Sequence, residues 1–417
     1  MKHIAEIVSV GTEILLGNIV NTDARDISQM LSELGINVYY HTVVGDNPER
    51  LSQVVGIAKS RADIIITTGG LGPTCDDLTK QILAESFGKK LVLNEEEAEF
   101  IKSYFEKAIR RKTFTQNNMR QAMLPEGCTI FRNHWGTAPG CAFEADGVHV
   151  LMLPGPPREC ITMFRSCAMP YLRSLSDGEI VSHNVHVFGL GESAMEDKLH
   201  EMMENMQNPT VAPYAKEGEC FTRVTAKAAT AEEAEALMKP IIKDICEILG
   251  PVVYGIDTGS LEKTVFDLLK EKGKTLATAE SCTGGLVSSR LTSIPGSSEV
   301  FLGGVAAYSN ESKIALLGVK PETIAANGAV CRDVAIQMAT GIREKLNSDI
   351  SIGITGIAGP SSDGSGKEVG LVYVAMNAEG NVHCRCLHLG SERFRVRTAA
   401  ANNALDMIRR YLTGLDI

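Results

Sequence analysis

A serine and a cysteine stand side by side in ATAESCTGGLVSSRL (277–291), between a short apolar run and two glycines. Both are potential nucleophiles. A serine hydroxyl needs a proton acceptor to react, and no histidine lies near it in sequence. The AAYSNESK stretch offers the partners, with Tyr308 and Lys313 five residues apart across a strand-to-helix junction. A desolvated lysine beside a tyrosine can act as general base, a contribution of about 10²–10⁴ in rate. Cys282 is the stronger nucleophile as a thiolate, but a cysteine turned toward a helix is more often a small buried hydrophobe. Ser281 also follows a strand directly and sits near the start of the helix LVSSRL. Free N–H groups and the helix dipole there favour a phosphate or an oxyanion. Simple helix capping by Ser281 is the competing assignment.

A second cluster lies far upstream. TTGGLGPTCDD (67–77) is a glycine-rich turn after an apolar strand, closed by two carboxylates. Gly69, Gly70 and Gly72 let a phosphate approach the backbone. Asp76 and Asp77 suit a hard divalent cation that bridges phosphate oxygens, and Glu13 in GTE and Asp46 in GDN add oxygen ligands from neighbouring strand ends. Metal-assisted phosphoryl or pyrophosphate chemistry is the reaction class this implies. Capping of the following helix by CDD is the alternative.

The elements that must hold these residues fall into three segments. In residues 1–170, IAEIVSV, INVYYHTVV, DIIITTGG and VHVLMLPGPP read as strands, and DARDISQMLSELG as a helix. Apolar runs without alternation predict strands buried on both faces, as in a parallel sheet flanked by helices. Ligands then sit at the strands' carboxyl ends. Residues 175–255 read as a small α+β module whose last helix is interrupted or kinked near Pro240. Residues 257–417 return to α/β, from a Ser260-capped helix to the amphipathic ERFRVRTAAANNALDMIRRYL. The predicted architecture is two three-layer α/β domains joined by a small α+β module.

Composition excludes several classes. A formal charge of −10 over 417 residues argues against bulk binding to nucleic acid or an anionic membrane. No apolar run spans a bilayer, and no secretory leader is evident. The 11 cysteines are scattered, which reads as reduced thiols in a cytoplasmic protein. Cys384 and Cys386, flanked by His383 and His388, raise a metal site against plain strand packing. Packing is the simpler account, because no second cysteine pair lies nearby.

TAESCTGG, YSNESK and GITGIAGP together resemble the carboxyl-terminal domain of the CinA family, which is similar to the PncC-type amidases. That resemblance implies hydrolysis of nicotinamide mononucleotide to nicotinic acid mononucleotide and ammonia, without a cofactor. It makes Ser281 the nucleophile, with Tyr308 and Lys313 managing its proton. It also sets Thr283, Gly284 and Gly285 at the phosphate or oxyanion and Gly356 and Gly359 along the pocket. Arg393 and Arg397 would pair with the phosphate. GTEILLG, TTGGLGPTCDD, NHWGTAPG and LPGPPRE resemble the molybdopterin-binding fold in its CinA version. This implies a pyrophosphatase dependent on Mg²⁺, Mn²⁺ or Co²⁺ that splits ADP-ribose into AMP and ribose 5-phosphate. Asn117 and Asn133 would read the sugar or base, with loop capping the alternative for each. The middle segment is similar to the KH-like module of full-length CinA proteins, yet GLGE is not the GXXG backbone clamp and carries an acid. The expectation is a cytoplasmic homodimer that acts on small nucleotides and binds neither nucleic acid nor membrane. Two alternatives stand beside it: a competence- or damage-linked interaction protein without catalysis, and a first domain that binds a pterin cofactor.

Overall fold

The computed structural model describes residues 3–108, 116–175, 178–216, 218–362 and 364–417. The chain folds into two compact units, residues 1–181 with 227–235 and residues 182–226 with 236–417. Most of the middle module thus shares a unit with the last segment.

In the first unit, Ile64–Thr68 (IIITT) is buried along its whole length, the pattern required of a strand covered on both faces. It pairs in parallel with Ile4–Val10 and with Val148–Leu153, and Ile4–Val10 pairs in parallel with the edge strand Asn37–Val44. Two antiparallel strands, Gly140–Ala145 and Thr129–Phe131, extend the sheet on its other side to six strands. Their short runs carry no long apolar signature, and the sequence reading missed them. Helix Thr22–Glu33 buries Ala24, Ile27, Met30 and Leu31 on one side of the sheet, and Pro48–Lys59 buries Leu51, Val55 and Ala58 on the other. Because Ile4–Val10 lies between the strands that follow it in sequence, the chain leaves it in opposite directions. This opens a crevice at the carboxyl ends, the usual ligand position in such sheets.

The middle module forms a four-stranded sheet in the order Thr210–Lys216, Glu219–Ala228, Glu179–Val187, Val253–Ile256. A row of rings crosses it: Tyr214 to Phe221 at 5.0 Å, Phe221 to His186 at 5.6 Å and His186 to Tyr254 at 5.5 Å between centroids. Helix Ala231–Leu249 runs through Pro240 without a break. Pro240 lies on an exposed face, as does Ala236, whose carbonyl loses its usual donor and is left to water.

The last segment builds a five-stranded sheet in the order Phe301–Ala306, Leu276–Glu280, Ile350–Gly356, Leu371–Ala378, Asn381–His388. Its first three strands are parallel and its last two antiparallel. Leu276–Glu280 again lies between later strands, so a second crevice opens at its carboxyl end. Helix Arg393–Thr413 packs Val396, Ala400, Ala401, Ala404, Leu405 and Ile408 into the core. Its buried Arg409 donates to Val253 O at 3.1 Å and Pro251 O at 3.0 Å, with Asp406 as counter-charge at 2.7 Å. Cys384, on the edge strand, packs against Ala335, Ala339 and Ala375. No helix among the described residues is long and apolar enough to cross a membrane.

Candidate active sites

The crevice of the last segment holds a cavity of about 300 Å³ whose lining includes Ser281, Cys282, Tyr308, Lys313, Gly356, Gly359 and Arg393. They arrive from four separate stretches of chain, around residues 281, 310, 357 and 393. Ser281 is the first residue past Leu276–Glu280, and its N–H donates to Ile354 O at 2.9 Å, which fixes the turn to the neighbouring strand. Lys313 lies one turn into helix Asn310–Leu317, which Ser309 starts through a capping box with Ser312. That turn buries the lysine to 2% exposure. Its ammonium donates to Ala307 O at 3.0 Å and Tyr308 O at 3.2 Å. Burial pulls its pKa below the ordinary lysine value, the direction a general base needs.

Tyr308 is 62% exposed, and its hydroxyl oxygen accepts from Arg393 Nη2 at 2.9 Å. The same guanidinium donates to Gly359 O at 2.9 Å, so Arg393 joins two walls of the cavity. The hydroxyl of Ser281 makes no hydrogen bond among the described residues. Nucleophile–base contacts of this kind often tighten only when substrate binds.

Cys282 is buried beside the serine, and desolvation pushes its thiol up to about 12 despite the N–H groups of Cys282 and Thr283 that point at it. It is a neutral thiol at pH 7, which separates it from its neighbour as a nucleophile.

The residues after Cys282 serve the turn rather than the cavity wall. Thr283 is fully buried, and its carbonyl accepts from Arg397 Nη2 at 2.7 Å and Nε at 3.3 Å. Gly284 and Gly285 take φ of 61° and 90°, a left-handed path open to glycine at little cost. None of Thr283, Gly284, Gly285 and Arg397 is among the lining residues. The physical reason is Glu280. This buried carboxylate accepts from Val287 N at 3.1 Å, Ser288 N at 2.9 Å and Ser288 Oγ at 2.7 Å. The helix N-terminus that the sequence offered to a phosphate already carries an internal anion. An acid directly before the turn was the available signal, and it was passed over.

The first unit's crevice holds a larger cavity, about 600 Å³, between the carboxyl ends of Ile4–Val10, Ile64–Thr68 and Val148–Leu153. Gly69, Gly70, Gly72, Glu13, Asp46, Asp76 and Asp77 all line it. Gly69 has φ 92°, and a Cβ there would fall 2.2 Å from Val10 O. One on Gly70 would fall 2.1 Å from Thr79 Oγ1. Asp77 Oδ2 accepts from Thr74 N at 2.8 Å and Thr74 Oγ1 at 2.6 Å, so it closes the loop backward. The helix Thr79–Ser86 has no side-chain cap, which removes capping as the purpose of CDD. Asp46 Oδ2 ties two loops together by accepting from Thr12 N at 3.0 Å and Thr12 Oγ1 at 2.8 Å. Among the described residues no three His, Cys, Asp or Glu side chains converge closely enough to hold a metal ion. The carboxylates therefore form no closed protein cage. Their chemistry fits a hard cation that keeps several waters and shares its shell with substrate phosphates.

The two asparagines lie elsewhere. Asn117 is exposed on the short helix Gln116–Met119, outside the lining. Asn133 is buried behind the wall and fully engaged, with its amide donating to Ala138 O at 2.9 Å and Glu159 Oε2 at 2.7 Å and its oxygen accepting from Trp135 N at 3.0 Å. The lining residues that the sequence reading did not name include Gln121 and Glu159. Gln121 donates to Thr137 Oγ1 at 3.1 Å, and its buried Oε1 has no partner. Gln121 stands in no motif, and Glu159 closes LPGPPRE without a second acid beside it to suggest a ligand pair.

The two cavities differ in sign. No Lys or Arg is among the residues lining the first, and no Asp or Glu is among those lining the second.

Three family models match the chain: the probable molybdopterin binding domain over 6–174, the damage-inducible protein CinA KH domain over 182–255 and the CinA C-terminal domain over 258–412. A CinA-like protein of Dictyoglomus turgidum is 48% identical over 98% of this chain and 99% of its own length. A CinA-like protein of Kosmotoga olearia is 48% identical over 99% of each. The crystal structure of a competence/damage inducible protein, CihA, from Agrobacterium tumefaciens is 38% identical, covers 38% of this chain and 96% of that one, and has a TM-score of 0.36.

Proposed function

Because the chain belongs to the CinA family, we propose that it is a bifunctional hydrolase of NAD fragments, an amidase on nicotinamide mononucleotide and a pyrophosphatase on ADP-ribose. The observation that carries the amidase reading is the meeting of Ser281, of Tyr308 with Lys313, and of Arg393 around one cavity from three widely separated stretches of chain. Ser281 Oγ attacks the carboxamide carbon as Lys313, whose pKa burial lowers toward that of a usable base, takes its proton. The same amine then protonates the departing ammonia, and water releases nicotinic acid mononucleotide. Tyr308, tied to Arg393, serves as a positioned hydroxyl rather than the base. The guanidinium of Arg393 keeps donors for the substrate phosphate.

For the first cavity, glycines 69, 70 and 72 would admit the pyrophosphate. Asp46, Asp76, Asp77 and Glu13 would hold a divalent cation that neutralises its charge. An anionic substrate in a wall of carboxylates requires such a cation.

The test is two assays on the purified full chain. Nicotinamide mononucleotide should give ammonia without added metal, and ADP-ribose should give AMP only with Mg²⁺, Mn²⁺ or Co²⁺. A folded chain that releases neither product refutes the enzymatic reading.

A further inference from the structure

Glu159 closes the LPGPPRE stretch, lies in the first turn of helix Pro157–Met163 and lines the first cavity, although the sequence reading gave it no role. Its carboxylate is held as a catalytic group must be. Asn133 Nδ2 donates to its Oε2 at 2.7 Å, and Asn133 is itself fixed by Ala138 O and Trp135 N. On another side it lies against bare backbone, since a Cβ on Gly136 would fall 1.9 Å from Oε2. The remaining carboxylates of the cavity are held differently. Asp46 and Asp77 each have an oxygen taken by a threonine, and Glu13 and Asp76 are exposed. Glu159 is only partly exposed, and desolvation raises its pKa against the lowering effect of Asn133, which makes its carboxylate a better proton acceptor.

We propose that Glu159 is the general base of the first cavity, oriented by Asn133 as a positioning residue. The inference rests on the ADP-ribose reading. The Glu159 carboxylate takes one proton from a water molecule as the water oxygen bonds to a phosphorus of the pyrophosphate. The bond from that phosphorus to the bridging oxygen breaks, and its electron pair stays on that oxygen, which leaves as part of the other phosphate. ADP-ribose and water become AMP and ribose 5-phosphate, and Glu159 returns its proton to solvent.

The experiment measures AMP release from ADP-ribose with Mg²⁺ by the full chain. Glu159→Gln should lower kcat by about 10²–10⁴ and leave KM within about threefold. Asn133→Ala should lower kcat by roughly tenfold, again with little change in KM. Glu159→Ala should regain activity with added formate, a small carboxylate able to occupy the vacated space. Glu159→Gln at wild-type kcat, or with its loss confined to KM, overturns the assignment. So does a Glu159→Ala chain that formate fails to rescue and that melts at a lower temperature than wild type, because the role is then structural. A wild-type chain that releases no AMP fails the pyrophosphatase reading itself, and the base assignment falls with it.

Discussion

The two cavities stand at equivalent places in their sheets, each at the carboxyl end of a strand flanked by strands that come later in the chain. Their walls are opposite in chemistry. The first is about 600 Å³ and lined by carboxylates, and the second is about 300 Å³ and lined by Lys313 and Arg393. On the proposed function, one topological device would serve two kinds of catalysis. Where the wall repels phosphate, charge must be imported as a cation. Where the wall attracts phosphate, the proposed reaction would rely on the protein's own cations, one of them desolvated and placed to handle a proton.

The sharpest break between the two sites is Ser281→Ala. It should cut ammonia release on the order of 10⁴-fold or more and leave AMP release at the wild-type rate, both read from one purified sample. Chelation is its mirror image. EDTA should abolish AMP release and spare ammonia release, and equal loss in both would erase the distinction drawn from charge.

Lys313→Met should lower ammonia turnover by about 10²–10⁴. The sign of its pH dependence follows from the base role. Below the lowered lysine pKa the amine is protonated and inactive, so turnover should rise about tenfold per pH unit and level off above it. The variant should lose that rising limb.

Gly69→Ala should affect only the first site. It meets Val10 O and a left-handed φ, at a cost of roughly 1–3 kcal/mol, read as a lower melting temperature together with weakened AMP release. Cys282→Ala is the mildest change. A lost buried thiol costs about 1 kcal/mol, and ammonia release should stay near wild type. Loss of activity there with Ser281→Ala still active would reverse the choice of nucleophile.

Much of this contrast was legible in sequence because both cavities are built from strand-end motifs. TTGGLGPTCDD and TAESCTGG each follow a strand directly, and their glycines and reactive groups are neighbours along the chain. What escaped was whatever depends on partners distant in sequence. Asn133 was open to ligand reading or loop capping; its oxygen accepts from Trp135 N within its own loop, while its amide reaches Glu159, 26 residues away, a partner no local pattern could name. Arg397 looked like a phosphate ligand until its guanidinium was found on Thr283 O, 114 residues away. Glu280 was overlooked for the opposite reason, since its role is local but runs forward across a turn whose shape only the left-handed glycines define. The strands Gly140–Ala145 and Thr129–Phe131 were missed because a short antiparallel extension carries little periodicity of its own.

The helix Arg393–Thr413 follows nearly all of the chain it packs against, yet it supplies Arg393 to the second cavity and a broad share of the core beneath it. A chain made only as far as residue 392 already has every residue that lines its first cavity and still lacks Arg393 in the wall of its second. The second cavity therefore stays open on the Arg393 side until this helix docks, whereas the first needs nothing beyond residue 159 to complete its lining.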